Sequence, residues 1–306
     1  MSCTDPPLYP NKPLEYRIQP DFLIKLTTNS PRFVLGYWSI RGMGAPLRMM
    51  LCAARVPHWV ALYHVKATPG VILWDKESWH KDKAWMEQAN PFANLPYLID
   101  TKTQTIICQT NAIFSYLGKE LNMIGSNKME TAKCEELLCE IYDLRNVMVD
   151  FAYGNDQTSA TKNYAAIECL QRGAVYLSKL ETYLQQQQSA GTAGYLVGNA
   201  LTAPDFHLYE MYCQFDSLSK YYSMDESLDE MFPLLKAHVQ AFQSLKENQM
   251  YLNSPELYQN LPFNNPYAHF GADPKTNGGY ERGKGVSKQE GKILLVYDIK
   301  DYLLDL

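Results

Sequence analysis

The sequence predicts an α/β domain over residues 31–118, followed by an all-helical domain over residues 129–270. Two apolar, strand-like runs, residues 33–37 and 58–65, are separated by apolar residues at helical spacing, which indicates a β-α-β unit. After a polar linker over residues 119–128, the chain consists mainly of long amphipathic segments with a helical period. This change of pattern places the boundary between the two domains.

The first β-α-β unit is delimited by turn and helix signals. The run FVLGY, residues 33–37, leads into a turn marked by Gly42 and Gly44, and Pro46 suits the first turn of a helix. The apolar positions of this helix are Leu47, Met50, Leu51 and Ala54. Because a crossover helix joins the two strands, we expect them to pair in parallel.

The rest of the α/β domain continues the alternation of strands and helices. Its segments are a loop (66–75), a Trp-rich helix (79–89), a strand ending NLPYLID (94–100), a hairpin turn (100–104), a second strand (105–108) and a helix that starts near residue 110. The resulting order, βαβαββα, is a thioredoxin-like layout. It lacks the C-x-x-C motif of redox-active proteins with that layout.

Leu95-Pro96 lies where a loop enters the short strand of NLPYLID. A proline at this place cannot donate a hydrogen bond to a sheet, and the X-Pro bond is a candidate for the cis form. In that form the N–H and C=O of Leu95 would face outward and could dock a peptide-like ligand as an extra strand. An ordinary trans turn proline is the alternative.

A candidate anion site follows at Gln109-Thr110-Asn111, which precedes an apolar helical run. We predict Thr110 as the N-cap residue of this helix. A helix start offers free N–H groups, a hydroxyl and the positive end of a dipole, which together suit a carboxylate. A plain cap without a ligand is the alternative.

The helical domain is predicted to contain long helices over residues 129–153 and 160–188. A later helix begins at Thr202, the predicted N-cap, with Pro204 in its first turn and Asp205 at the capping-box position. We assign this motif a role in folding.

Both ends of the chain extend beyond the two domains. Residues 1–30 contain many prolines and several apolar side chains, and we expect an extended arm that packs on a surface. In residues 271–306 a Gly-, Lys- and Asn-rich stretch precedes the apolar run 293–306, which we expect to add a strand or helix to the fold or to bind a partner.

Composition excludes several functional classes. The formal net charge of −5 argues against a nucleic-acid partner, and no apolar run is long enough to span a bilayer. The first ten residues lack the features of a secretory signal, which predicts a cytoplasmic protein and leaves organelle association open. The seven scattered cysteines suit reduced thiols rather than a disulfide framework or a zinc site.

Three motifs together resemble the cytosolic glutathione transferases, most closely the mu class. They are LGYWSIRGMGAPLR (35–48), NLPYLID (94–100) and QTNAI (109–113), and the resemblance extends over residues 32–270. It implies the glutathione transferase fold, glutathione as co-substrate, no metal, and addition of the glutathione thiolate to small apolar electrophiles. It also implies a homodimer.

The resemblance implies a catalytic role for Tyr37, the tyrosine of the GYW sequence. A hydroxyl that donates a hydrogen bond to sulfur stabilises the thiolate, which is the reactive form of a thiol. Met43 and Tyr153 are implied to line the site of the electrophile, and Phe92 is implied to insert into a pocket of the partner subunit.

The glutathione-binding residues implied by the resemblance are spread along the chain. Trp38 would lie beside glutathione, and Trp79 and Lys83 would bind near its glycine carboxylate, together with Lys76 in place of the family's arginine. Asn94 and Leu95 would hold the cysteinyl backbone across Pro96. Gln109 and Thr110 would bind the γ-glutamyl carboxylate, and Asp143 would reach the γ-glutamyl amine of the neighbouring subunit.

A second hypothesis is that the fold serves as a structural or adaptor subunit of a larger assembly. It rests on the two added ends, residues 1–30 and 271–306, which both contain apolar segments. The retained motifs favour the enzyme, because no metal-binding or nucleotide-binding motif competes with them.

Overall fold

The computed structural model describes residues 31–63, 65–67, 74–154, 159–189, 191, 194–222, 227–254, 262–263, 268, 270 and 292–297. The expected N-terminal arm, residues 1–30, lies outside the described residues. So does most of the C-terminal extension.

Apart from two added two-residue strands, the α/β domain has the predicted βαβαββα order. Its elements are β1 (Phe33–Trp38), α1 (Gly44–Ala53), β2 (His58–Tyr63), β3 (Lys66–Ala67), β4 (Trp74–Asp75), α2 (Glu77–Met86), β5 (Tyr97–Asp100), β6 (Thr105–Cys108) and α3 (Thr110–Glu120). The prediction of a plain loop over residues 66–75 was wrong, because its two ends pair as the antiparallel strands β3 and β4. Two-residue strands are too short to produce a sequence period.

The main sheet has the strand order β6-β5-β1-β2 and gains a fifth strand, β7 (Lys292–Tyr297), at its edge. β1 and β2 pair in parallel, as predicted, with Tyr37 opposite Leu62, whereas β5 runs antiparallel to β1. β7 pairs antiparallel with β2 over its whole length. The apolar run near the C-terminus therefore adds a strand to its own fold.

Gly36 shows why the sheet needs a glycine in the middle of β1. It lies opposite Tyr97 of β5, and a Cβ atom at Gly36 would lie 2.1 Å from the Tyr97 ring. Because real side chains do not approach so closely, any other residue at this position would displace the tyrosine ring from the core.

The helical domain begins with α4 (Lys128–Tyr153) and α5 (Ser159–Ser189), within one residue of the predicted bounds. It continues with α6 (Ala203–Tyr221), α7 (Leu228–Met231), α8 (Pro233–Ser244) and α9 (Lys246–Leu252). The predicted capping box at the start of α6 is present: the buried Asp205 carboxylate accepts from the N–H of Thr202 at 2.8 Å and also from the N–H of Leu196 at 2.9 Å.

Two apolar clusters lie on the two faces of the main sheet. The larger joins one face, through α1 and α3, to the helical domain, and α1 packs against both α6 and α9. The smaller lies between the other face and α2. The packing of α1 on the helical domain fixes the loop after β1, where the candidate site is found.

Candidate active site

Tyr37 lies near the end of β1 and is only 6% exposed. Its ring packs against the loop that leads into α1, where a Cβ atom at Gly44 would lie 2.6 Å from the ring. Burial raises the pKa of Tyr37 above its ordinary value of 10.0, although Arg145, the backbone of Met43 and Arg48 each act to lower it. Tyr37 is therefore a protonated hydroxyl donor at neutral pH.

A small cavity of about 20 Å³ lies beside Tyr37 and is also lined by Tyr153 of α4. The other lining residues are Ile40, Gly42, Arg145, Val149, Met211, Gln214 and Phe263. Met43 packs with Tyr37 and Ile40 in one buried apolar cluster next to this cavity. The volume is enough for about one water molecule.

Seven of the nine lining residues were not assigned to the site in the sequence analysis, and one of them, Arg145, had a usable signal. Arg145, Val149 and Tyr153 recur every four residues along α4, so they share one face of that helix. The position of Tyr153 could therefore have pointed to Arg145. Phe263 carries no comparable signal, because it lies in an irregular segment far along the chain.

Arg48 holds the loop between β1 and α1 in place through hydrogen bonds to backbone carbonyl groups. Its guanidinium is fully buried and donates to the carbonyl oxygens of Ile40 at 3.0 Å and Trp38 at 3.1 Å. The half-buried side chains of Trp38 and Leu95 pack against the cluster that contains Tyr37. The structure thus brings together three of the residues expected at the glutathione site.

The Leu95-Pro96 peptide bond is cis, which is one of the two forms that the sequence analysis left open. Pro96 is buried, whereas Asn94 is exposed and its Oδ1 accepts from the N–H of Leu95 at 2.9 Å. The polar backbone of Leu95 therefore lies at the surface of the domain, beside the Tyr37 cluster.

The prediction that Thr110 is an N-cap residue was wrong by one position. α3 begins at Thr110 itself, and Gln109 is the N-cap residue, with φ at +74° and no side-chain capping bond. A positive φ is unfavourable for glutamine and is often found at functional sites. Thr110 is buried at the first turn and Gln109 is exposed, so both lie at a helix start with free N–H groups.

The residues expected near the glycine carboxylate are not gathered at Tyr37. Trp79 is buried in the smaller apolar cluster, where its ring stacks on Tyr97 at 6.0 Å and meets Tyr63 edge-on at 5.4 Å. Lys76 is the N-cap residue of α2, with no side-chain capping hydrogen bond, and Lys83 lies 3.6 Å from the Glu87 carboxylate. The packing of Trp79 places α2 against the sheet.

Asp143 and Phe92, the residues expected to act across a dimer, both face outward. Asp143 is an exposed residue of α4, two positions before Arg145. The Phe92 side chain is 71% exposed, while its backbone N–H donates to the buried Asn90 at 2.9 Å. A fixed loop thus presents an aromatic ring to solvent.

None of the described helices is long and apolar enough to cross a membrane.

Family models match both domains of the chain. The model for the glutathione S-transferase N-terminal domain matches residues 33–119, and the model for the C-terminal domain matches residues 142–255.

Individual relatives agree with the family models. The chain is 28% identical to human glutathione S-transferase Mu 3 over 242 residues, which are 79% of this chain and 96% of the relative. It is 29% identical to rat glutathione S-transferase Mu 5 over the same shares of the two chains. The crystal structure of the glutathione S-transferase Blo t 8 shares the fold, with a TM-score of 0.63 and 23% identity over 78% of this chain and 99% of that chain. The chain belongs to the glutathione S-transferase family, with mu-class proteins among its relatives.

Proposed function

We propose that the protein is a cytoplasmic, dimeric glutathione transferase that adds the thiolate of glutathione to a small electrophile. The observation that carries this proposal is the position of Tyr37, a protonated hydroxyl at a cavity that Tyr153 also lines. A hydroxyl donor beside the sulfur favours the thiolate over the thiol and so raises the fraction of reactive nucleophile at neutral pH.

In this proposal the glutathione backbone binds along the surface next to Tyr37. Asn94 and Leu95 hold the cysteinyl part, across Pro96, and Trp38 packs beside it. The γ-glutamyl carboxylate binds at the start of α3, where Gln109 and Thr110 lie and where the helix dipole favours an anion. The glycine end of glutathione is proposed to bind Lys76, Trp79 and Lys83. For Trp79 this requires a contact at the edge of its buried ring. The γ-glutamyl amine of the glutathione in the neighbouring subunit is proposed to bind Asp143.

The adaptor hypothesis has no comparable support. The described part of the C-terminal extension, Lys292–Tyr297, pairs with β2 of the same chain. It therefore gives no reason to invoke a larger assembly. Phe92 is proposed as the residue that inserts into the partner subunit of a homodimer.

The test combines glutathione binding with catalysis. Retention on immobilised glutathione and the rate of conjugation to a chloronitroarene would be measured for the natural chain and for Tyr37→Phe. We expect both proteins to be retained and the rate of the variant to fall by about 100-fold, because a hydrogen bond to the thiolate is lost. The pH-rate profile of the variant should also shift to higher pH.

Two results would contradict the proposal. If the natural chain is not retained, or is retained without any conjugation, the protein is not a transferase. If Tyr37→Phe keeps the full rate and an unshifted pH profile, the assignment of Tyr37 is wrong even though the enzyme is active.

A further inference from the structure

Two hydrogen bonds in series join the main sheet to α2, on the side of the smaller apolar cluster. The hydroxyl of Tyr63, the last residue of β2, donates to Oδ2 of Asp82 in α2 at 2.6 Å. The hydroxyl of Tyr97, the first residue of β5, lies 2.8 Å from that of Tyr63. Both tyrosines are fully buried, whereas Asp82 is half-buried. The two bonds therefore cross the interior of the domain and end near its surface.

The direction of the two bonds follows from the carboxylate at one end. The hydroxyl proton of Tyr63 is used in the bond to Asp82, so Tyr97 must supply the proton of the bond between the two hydroxyls. Burial raises the pKa of both tyrosines well above the ordinary value of 10.0, so both keep their protons at neutral pH. Without the Tyr63 hydroxyl, the buried hydroxyl of Tyr97 would lose its acceptor.

The sheet end of this series lies beside the segments proposed to hold the sulfur end of glutathione. Tyr97 directly follows the cis Leu95-Pro96 bond. The backbone carbonyl of Tyr63 accepts from the N–H of Ser39 at 2.8 Å, two residues after Tyr37. The same two tyrosines therefore contact α2 with their hydroxyls and the cysteinyl side of the proposed site with their backbone.

The other end of the series is on α2, which carries the residues proposed for the glycine end. Asp82 directly precedes Lys83 and lies three residues after Trp79, whose ring stacks on Tyr97 and meets Tyr63 edge-on. Apolar packing of a ring is non-directional. A short hydrogen bond to a carboxylate, by contrast, has a preferred distance and angle. The bond from Tyr63 therefore fixes the rotation of α2 against the sheet more narrowly than the packing of Trp79 does.

We propose that Asp82 and Tyr63 are positioning residues that hold α2 in the orientation in which Lys76 and Lys83 bind the glycine carboxylate of glutathione. The inference rests on the proposed transferase function and concerns one end of its co-substrate. The two lysines are seven residues apart, about two helical turns, so they share one side of α2 and move together when it rotates. Because a lysine is a point charge on a flexible stem, the backbone that carries it decides where the charge lies.

The test compares glutathione with glutathione amide, in which a neutral carboxamide replaces the glycine carboxylate. Conjugation of each thiol to a chloronitroarene would be measured for the natural chain and for Tyr63→Phe, with kcat and the KM for the thiol determined separately. We expect the natural chain to have a KM for glutathione about 10-fold below that for the amide, because charge-assisted hydrogen bonds are the stronger ones. Tyr63→Phe should raise the KM for glutathione by about 10-fold and that for the amide by less than about 2-fold.

Tyr212→Phe is the matched control for the loss of a buried hydroxyl. Tyr212 is 3% exposed, and its hydroxyl donates to the Asp229 carboxylate at 2.8 Å within the helical domain. This variant should lose stability as Tyr63→Phe does and keep both KM values. Asp82→Asn retains an acceptor for Tyr63 and should bind glutathione nearly as well as the natural chain, whereas Asp82→Ala should behave like Tyr63→Phe.

If Tyr63→Phe does not fold, the two Asp82 variants supply the comparison, because they change a half-buried residue. An equal rise of the KM for both thiols, or no rise for either, would overturn this inference alone. The same holds if the natural chain does not distinguish glutathione from its amide. A natural chain that conjugates neither thiol would overturn the proposed transferase function as well.

Discussion

The ring of Phe263 packs edge-to-face on the ring of Tyr153, with centroids 5.6 Å apart and planes at 86°. The N–H of Gly42 donates to the carbonyl of the adjacent Pro262 at 3.1 Å, so this segment is bound to the loop that follows β1. Both contacts lie at the cavity that Tyr37 lines. A residue late in the chain therefore closes one side of this cavity, whose volume is enough for about one water molecule.

Phe263→Ala is expected to enlarge the cavity and to change the choice of electrophile. Removing the ring vacates space next to Tyr153, so kcat/KM should rise for bulky electrophiles and fall for small ones, by roughly 3- to 10-fold in each direction. The measurement is a series of conjugation rates for electrophiles of increasing size. Phe270→Ala is the control, because its buried ring packs on Phe151 at 6.1 Å and does not line the cavity. Identical profiles for the two variants would show that Phe263 does not gate the site.

Thr110→Val is expected to weaken glutathione binding by about 10-fold or more, because a hydroxyl donor to a carboxylate is lost while the shape of the side chain is kept. Thr110→Ser, which keeps the hydroxyl, should bind nearly as well as the natural chain. The measurement is calorimetric titration with glutathione and with cysteinylglycine, which lacks the γ-glutamyl carboxylate. The prediction fails if Thr110→Val weakens the binding of both ligands by the same factor.

The sequence was informative where a local pattern decides the structure. The parallel pairing of β1 with β2 follows from the β-α-β order, and the capping box at Asp205 follows from a few neighbouring residues. For Leu95-Pro96 the sequence left the cis and trans forms open, and the bond is cis. The sequence predicts the ends of helices only to within about one residue. Gln109 is the N-cap residue of α3 although its side chain makes no capping hydrogen bond. The error at Thr110 is of this kind.

The features of the site that could not be predicted from the sequence depend on contacts between segments that are far apart in the chain. Arg145 and Gln214 line one cavity because α4 packs on α6, and Phe263 packs on Tyr153 although it lies far along the chain. The ring of Trp79 stacks on Tyr97 of β5, a contact between residues that are far apart in the α/β domain's sequence pattern. None of these contacts leaves a period or a spacing in the sequence.

Phe92→Asp is expected to convert a dimer into a monomer. A largely exposed aromatic ring on a fixed loop is the kind of residue that anchors an interface, and such anchors contribute at least about 2 kcal/mol, or roughly 30-fold in the dimer dissociation constant. Sedimentation should give twice the chain mass of 35.0 kDa for the natural protein and one chain mass for the variant. Met231→Asp, at another exposed apolar residue, is the control and should remain dimeric. A natural chain that sediments as a monomer would remove the role proposed for Phe92.

Acid should destabilise the fold through two buried histidines, His58 and His207. Burial lowers the pKa of His58 to about 4, although its Nδ1 donates to the carbonyl of Val56 at 2.8 Å. Burial and then the charge of Arg145 lower the pKa of His207 to about 3, and neither of its ring nitrogens has a hydrogen-bond partner among the described residues. Both rings are therefore neutral in the folded protein at neutral pH.

The direction of the pH effect follows from proton counting. An unfolded histidine with the ordinary pKa of 6.5 binds a proton as the pH falls, whereas the folded residue does not until about pH 4 or 3. Each histidine's stabilising contribution is thus fully present above pH 6.5 and decreases below it, by up to about 1.4 kcal/mol per pH unit. His207→Phe should lower the slope of unfolding free energy against pH by about that amount between pH 4 and 6.

The measurement is chemical denaturation at a series of pH values for the natural chain, His207→Phe and His207→Gln. His207 stacks on Phe114 with centroids 5.2 Å apart, so phenylalanine should pack there and stabilise the protein, whereas glutamine leaves a buried polar group and should destabilise it. Both variants lack the titrating ring and should show the same shallower slope. Variants with the slope of the natural chain would show that His207 does not bind its proton on unfolding in this range.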